Sequence, residues 1–262
     1  MNRIIHAELN RWARRRVVLA IALSTLVFST VSTISVFASV QPAGEPSRQE
    51  GATITALSGT GGGTEAFAIG ASFGGFLVFV IIIALMAGEF SGGTFRAMLL
   101  RNPNRSAVIV GKLVALLLVA AAAMGVTELF SFVGSLLMAP TQDVSTSEWF
   151  TAASLRAAAG DFGNVMAGVT GWAVFGTTLA VLLRSTPLAL GLGFAWAGPI
   201  ENIIVDSWST GYRVFPGQIL GSLIRGGTVE LGMGRALTTA AVYTAAALGA
   251  TLLLVARRDV TA

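Results

Sequence analysis

The sequence GEFSGGTFRAMLLRNPNRSAVIVGK, residues 88–112, is a polar and basic interruption between two of the most apolar segments of the chain. It directly follows the run FLVFVIIIALMA, residues 76–87, so Glu89 is expected where a helix leaves the membrane. Ser91, Gly92 and Gly93 should end that helix, because glycine-rich clusters interrupt helices. The stretch therefore predicts two membrane helices joined by a polar connection.

Within this connection a short helix is predicted over residues 95–100, with Thr94 available to cap it. Three side chains at positions i, i+3 and i+4 would form one apolar face. They are Phe95, Met98 and Leu99. The flanks are basic and carry Arg96, Arg101 and Arg105. Pro103 should stop the helix, because proline cannot continue the hydrogen-bond ladder. Such a helix can serve as a docking site for another protein. The alternative is an ordinary cytoplasmic loop whose basic residues only set the orientation of the chain.

The same stretch resembles the first cytoplasmic loop of ABC-2-type transporter permeases, which have the type V exporter fold. The pattern is E-F-x-x-G-T-F-R-x-x-L, followed by a proline, an arginine and a lysine. It is carried by Glu89, Gly93, Thr94, Arg96, Leu99, Pro103, Arg105 and Lys112. The resemblance implies a coupling helix that docks into a separate ATPase subunit. The residues it assigns to coupling are Glu89, Gly93, Thr94, Phe95, Arg96, Met98, Leu99, Arg101 and Arg105.

The composition is that of an integral membrane protein. Of the 262 residues, 54% are hydrophobic and 11% are charged, whereas soluble domains carry roughly 25% charged residues. The net charge of +4 would suggest nucleic acid in a soluble protein, but here the basic residues lie at the ends of apolar runs. We expect one transmembrane domain over residues 1–262, in contact with the lipid bilayer and not with nucleic acid.

The hydropathy pattern predicts an all-α, polytopic membrane protein with six transmembrane helices. The predicted spans are residues 17–40, 66–87, 107–138, 162–183, 187–205 and 236–256. The first span is too long for a cleavable signal, whose apolar region has about 7–15 residues. Gly70 and Gly74 should form a small-residue face for helix packing, and Pro199 should interrupt the fifth span.

The distribution of lysine and arginine predicts that both termini lie in the cytoplasm. Of the 17 basic residues, five fall in the predicted external segments and twelve on the other side. The external five are Arg48, Arg156, Arg213, Arg225 and Arg235. Because basic residues are retained on the cytoplasmic side, this asymmetry favours a multi-pass protein of the cell inner or plasma membrane with this orientation.

The sequence predicts a distinct structure for each of four segments outside the spans. Residues 1–16 predict an amphipathic interfacial helix with Ile5, Leu9 and Trp12 on its apolar side, the alternative being a short basic tail. Permeases of the ABC-2 type have a similar helix, which favours the first interpretation. Residues 41–65 form an external loop whose GTGGG is read as a flexible linker, and residues 140–161 form a polar external segment.

Residues 207–234 are predicted to be an external region with a re-entrant part over residues 214–224, VFPGQILGSLI. This apolar run is too short for a span, which needs about 17–25 residues. If it crossed, the last helix would reverse and place Arg257 and Arg258 outside. Re-entrant helices at this position are also what the resemblance implies.

The chain shows no means of catalysis. No nucleotide-binding, metalloprotease or hydrolase motif is present. The absence of cysteine and the single histidine, His6, exclude disulfides and thiolate or histidine-cluster metal sites. We therefore expect no enzyme activity, no metal site and no bound cofactor, with ATP and Mg²⁺ bound on a partner ATPase.

Three acidic residues lie in or near apolar segments, where a charge at the bilayer centre costs at least ~2.5–3.5 kcal/mol. Glu201 and Asp206 are expected at the outer interface, where water reduces that cost. Glu128 lies 16 residues past Lys112, ~24 Å along a helix, in the outer half of the bilayer. It is either a structural carboxylate or a substrate-pathway residue.

The function that these features predict is the membrane subunit of an ABC transporter. The resemblance implies a pair of permeases with two ATPase subunits, exporting a substrate by alternating access. An ion-gradient-driven secondary carrier is the first alternative, but it needs midplane ionisable residues and repeated halves, and neither is clear. A non-transporting membrane anchor or sensor is the second alternative.

Overall fold

A computed structural model describes residues 2–40, 52–101 and 104–257, with the side chains of Arg96 and Arg101 outside the description. Within these residues the chain forms α-helices and short turns, and no β-strand. The helices are α1 Asn2–Trp12, α2 Arg15–Ala38, α3 Ile54–Ser58, α4 Glu65–Ser91, α5 Thr94–Arg101, α6 Arg105–Met138, α7 Ala152–Leu183, α8 Thr186–Ala195, α9 Glu201–Ser207, α10 Pro216–Ile224 and α11 Met233–Arg257.

Six helical segments of the described chain are long and apolar enough to cross a membrane. They are α2, α4, α6, α7, the α8–α9 pair and α11. The predicted all-α fold with six spans is therefore confirmed. The orientation of the termini stays a prediction.

The helix α7 is the centre of the bundle. Its most apolar window is 61% buried, compared with 17% for α2 and α11. It packs against α4, α6, α10 and α11. Trp172 of α7 lies against Phe76 and Phe79 of α4, with the Trp172 and Phe79 ring centroids 5.0 Å apart. The core therefore forms where α4 meets α7.

The glycine face predicted on α4 is confirmed. Gly70 lies against Ser32 of α2 and Gly74 lies against Phe28, so a Cβ at either position would press on α2. The hydroxyl of Ser32 donates to the carbonyl of Ala66 at 2.7 Å. Small residues here allow the two helices to approach closely.

Two predictions about the loops are wrong. The fourth span begins at Ala152 and not at residue 162, because Thr151 caps α7 by accepting from Ser154 N at 3.2 Å and an alanine-rich sequence continues the helix. The GTGGG segment is an ordered turn, not a flexible linker. Gly62 and Gly63 are buried, and a side chain on Gly63 would collide with Phe132.

The fifth span is interrupted as predicted, by a π-helical turn over Trp196–Ile200 that contains Pro199. Asp206 is exposed, as expected for an interfacial carboxylate. The expectation for Glu201 is wrong, because its side chain is only 1% exposed. Its carboxylate lies against Gly217 and faces the first-turn amides of α10, although neither oxygen reaches full hydrogen-bond geometry. The positive end of a helix favours an anion, which compensates for its burial.

Hydrogen bonds between helix ends show which termini share an end of the bundle. Ser91, the last residue of α4, bonds to Thr186 at the start of α8, with 3.0 Å between the hydroxyl oxygens. Arg105 at the start of α6 donates to the carbonyl of Val255 near the end of α11. We call the end of the bundle where these two contacts lie the α5 end. The opposite end, where Arg225 donates to Ser72 at 3.1 Å, is called the α10 end.

The chain between α9 and α11 enters and leaves at the α10 end. Within it, α10 packs against α4, α7 and α11. Ile219, Leu220, Leu223 and Ile224 are buried. The helix begins at Pro216, two residues later than the predicted segment, and its nine residues do not cross the bundle. Its placement within a bilayer stays a prediction.

Candidate coupling site and its ion-pair network

The short helix α5 begins where α4 ends. Gly93 has φ +71°, a conformation that glycine adopts without strain, and it reverses the chain after Ser91. The helix starts at Thr94 itself. The Thr94 hydroxyl donates to the carbonyl of Glu89 at 3.2 Å. Thr94 therefore ties α5 to the last turn of α4 and is not the separate cap that was predicted.

The apolar face predicted on this helix exists, but it is directed inward. Phe95 is 5% exposed, and its ring centroid lies 4.2 Å from that of Phe90. Met98 and Leu99 are partly buried and pack against the same core cluster. The bundle covers Phe95 and partly covers Met98 and Leu99, so these side chains hold α5 on the bundle. Their contact with a partner stays a prediction.

The face of α5 that remains open carries Ala97 and Leu100. Ala97 is exposed, and Leu100 is 82% exposed. Sequence reasoning did not assign either residue to coupling. The signal was present in their i, i+3 spacing on the side opposite Phe95, but only packing shows which side is covered.

Behind α5, four charged residues from three helices form one network. Glu89 of α4 accepts from Lys112 of α6 at 2.9 Å and from Arg11 of α1 at 3.0 Å, through the same Oε1 atom. Lys112 also pairs with Glu8 of α1, and Arg11 lies 3.7 Å from Glu8. The network thus joins α1, α4 and α6.

The network is largely removed from solvent. The side chain of Lys112 is 3% exposed, and those of Glu8 and Glu89 are 13% and 12% exposed. The fourth member, Arg11, is 50% exposed. Two cations thus face two carboxylates, and this pairing compensates the charges that are buried. The roles of Glu8 and Arg11 were not predicted, although their i, i+3 spacing and the lysine inside an apolar helix were visible signals.

The remaining predicted coupling residues are placed as follows. Arg105 donates through Nη1 to the carbonyl of Val255 at 3.4 Å, so it contacts the last turn of α11. Cations are favourable at this end of a helix. The backbones of Arg96 and Arg101 lie within α5, while their side chains lie outside the described part of the structure.

The candidate pathway residue Glu128 lies at the other end of α6, within a separate cavity of about 730 Å³. The cavity is bounded by α6, the turn at Gly61–Thr64 and the first part of α7. The Oε1 atom of Glu128 is buried without a hydrogen-bond partner. Nearby, Asp161 of α7 accepts from Thr64 at 2.7 Å. The structure does not bring Glu128 together with the network at the α5 end.

Among the residues described, no group of three or more His, Cys, Asp or Glu side chains could hold a metal ion. The α5 end offers a braced helix, an open apolar side chain and a buried charge network. This arrangement is suited to docking and to transmitting movement.

Comparison with known proteins supplies the family. A sequence model described as "ABC-2 family transporter protein" matches residues 4–194, well over half of the chain. No curated protein matches the chain significantly. The match covers α1 to α8 and includes α5 with its charge network. The chain belongs to the ABC-2 family of transporter membrane proteins, as a multi-pass permease subunit of an ABC transporter.

Proposed function

We propose that this chain exports a substrate using ATP hydrolysis by a separate ATPase subunit that docks on α5. ATP and Mg²⁺ bind on that partner and not on this chain. In this proposal two permease copies and two ATPases form the transporter in the cell inner or plasma membrane. The α5 end faces the cytoplasm, which the concentration of basic residues at that end supports.

The observation that carries the proposal is the way α5 is held. Phe95, Met98 and Leu99 anchor the helix to the bundle core, while Ala97 and Leu100 remain open on the opposite side. A helix anchored in this way can transmit a push from a docked protein without detaching. An open leucine on such a helix also fits an apolar pocket of a partner.

The charge network gives the docking helix a connection to the spans. Glu89 lies in the last turn of α4, and Thr94 at the start of α5 bonds to its carbonyl. Since the Glu89 carboxylate is paired with Lys112 and Arg11, displacement of α5 would move α4, α6 and α1 together. The network therefore supports coupling from within the permease, and not by direct contact of Glu89 with the ATPase.

The proposal is tested by co-expressing the chain with an ABC ATPase encoded in its gene neighbourhood and measuring retention of the ATPase on the purified permease. Leu100→Asp should weaken binding by at least about tenfold, because a carboxylate would enter an apolar contact. Val229→Asp is the matched control, since Val229 is 101% exposed and lies in the loop before α11, at the α10 end.

Loss of the ATPase from Leu100→Asp together with its retention by Val229→Asp would support the proposal. Equal retention by both variants would contradict docking on α5. A purified permease that binds no ATPase and still transports would favour the secondary carrier.

A further inference from the structure

The first half of α2 is separated from the rest of the bundle at the α5 end. All buried residues of α2 lie from Thr25 onward, and none lies in its first ten residues. Two apolar grooves therefore flank this half. One, of about 500 Å³, lies between α2 and α4 above α6. The other, of about 430 Å³, lies between α2 and α6.

The larger groove has the length of one lipid leaflet. Its wall on α2 extends from Arg16 to Phe28, thirteen residues that span ~18 Å along the helix. The hydrocarbon core of a bilayer is about 30 Å thick, so one leaflet is about half of that. The groove is deep as well, since its lining includes Val169 of the central helix α7. Water has too few partners in such a groove, whereas an acyl chain fits it.

The mouth of the groove carries a concentrated positive charge. Arg14, Arg15 and Arg16 are consecutive and exposed, and Arg16 lines the groove. Among the described residues none of the three pairs with a carboxylate, because Glu8 and Glu89 are engaged by Lys112 and Arg11. These three cations are therefore available to an anion from outside the chain.

Two further features of the mouth favour an anion. The first turn of α2 has no acidic residue and no side-chain cap, so the positive end of the helix adds to the charge of the arginines. Trp12 lines both grooves, and its indole Nε1 is buried without a hydrogen-bond partner. The site therefore offers cations, the positive end of a helix and an indole ring at the end of an apolar groove one leaflet long.

We propose that this groove binds a phospholipid with an anionic headgroup, whose phosphate lies near Arg15, Arg16 and Trp12 and whose acyl chain lies along α2. The lipid would fill the space between α2 and the bundle beside the helix α1 that carries Glu8 and Arg11. The inference requires only that the spans lie in a bilayer, and it does not depend on docking of an ATPase.

Native mass spectrometry of the purified, delipidated full chain tests this proposal. Phosphatidylglycerol and phosphatidylcholine with identical acyl chains are added separately. Phosphatidylglycerol should be retained at lower concentration. The double variant Arg15→Gln/Arg16→Gln should weaken its binding by about 30-fold, given the usual contribution of basic residues to anionic-lipid binding. It should weaken phosphatidylcholine binding much less, because the choline cation offsets the charge of the phosphate. Excess inorganic phosphate should not displace the lipid.

Two controls separate the groove from general charge effects and general stability effects. Arg156→Gln/Arg235→Gln removes the same charge from exposed positions at the α10 end and should leave the selectivity unchanged. Ala20→Phe places a ring in the groove from an exposed position and should weaken binding of both lipids, whereas Ala241→Phe on exposed α11 surface should not.

Equal retention of the two lipids by the natural chain would overturn the proposal, as would equal loss in the Arg156→Gln/Arg235→Gln control. A third result would also overturn it: Ala20→Phe dissociates a dimer of the chain and leaves lipid binding unchanged. A second copy of the chain, and not a lipid, would then cover α2.

Discussion

The positive charge of Lys112 is buried, so neighbouring carboxylates must neutralise it. Its ammonium group lies between the carboxylates of Glu8 and Glu89 with 3% of the side chain exposed. Removing one partner from a buried ion pair leaves an uncompensated charge, and this loss exceeds the net stabilisation that the intact pair provides. The network should therefore behave as a unit in mutagenesis.

Lys112→Met should reduce the free energy of unfolding by about 3–5 kcal/mol, because the largely buried carboxylates of Glu8 and Glu89 would then share only the half-exposed Arg11. Adding Glu8→Gln and Glu89→Gln to Lys112→Met should recover much of that loss. The buried site then holds neither the ammonium group nor the two carboxylates that it neutralised. Denaturation of the three proteins in detergent measures this. A single variant as stable as the natural chain would contradict the buried network.

Gly217 and Gly221 form a matched pair on α10. A Cβ on Gly217 would collide with the carboxylate of Glu201 and approach Trp172, whereas a Cβ on Gly221 would meet nothing within 4 Å. Gly217→Ala should destabilise the protein by about 1–3 kcal/mol through overpacking. Gly221→Ala should stabilise it by up to about 1 kcal/mol, as alanine does in helices. The reverse order of melting temperatures would show that Glu201 does not lie against α10.

Glu128 provides a test of the cavity at the α10 end. If the cavity that Glu128 lines is part of a substrate pathway, a cysteine at position 128 should react with a small water-soluble thiol reagent. A cysteine that replaces Val133 should not react, although position 133 is nearer the end of α6. The Val133 side chain is 46% exposed, but it faces away from the cavity. Absence of reaction at position 128 would remove the basis for a pathway there. The natural chain has no cysteine to interfere.

At the scale of elements, sequence patterns predicted the helices and breaks that are determined by neighbouring residues. The six spans follow from apolar runs, and the break before α5 follows from Gly92 and Gly93. The direction of the Phe95 face could not be predicted, because it depends on Phe90 and the core of other spans. The same reason explains the turn at Gly62–Thr64, where Phe132 and Trp149 from distant parts of the chain lie against Gly63.

The topology of the α10 region can be measured with single cysteines. Ser209 and Val229 are both exposed and flank α10, whereas Ala97 is exposed on α5. We expect an impermeant thiol reagent to label positions 209 and 229 in intact cells and to label position 97 only after the membrane is opened. Labelling of only one of the two flanking positions would mean that the segment crosses the membrane. Labelling of position 97 in intact cells would invert the orientation.

For the whole molecule, the two ends of the bundle have different constructions. The α5 end combines a braced helix, a buried charge network and exposed arginines, while the α10 end contains the packed helix α10, buried Glu201 and the cavity beside Glu128. A docked ATPase would act on the first end, and its effect must reach the second through α4, α6 and α7. The helix α7 packs against α4, α6, α10 and α11, so it contacts elements that reach both ends.

The central claim is that an ATPase docks on the outward face of α5. Single cysteines at Ala97, Met98 and Leu100, each carrying a photoactivatable crosslinker, test it most directly in membranes that contain the co-expressed ATPase. Positions 97 and 100 should crosslink to the ATPase, and position 98 should not, because it is packed against the bundle. Crosslinking from position 98 in preference to position 100, or from none of the three while the ATPase remains bound, would contradict the account.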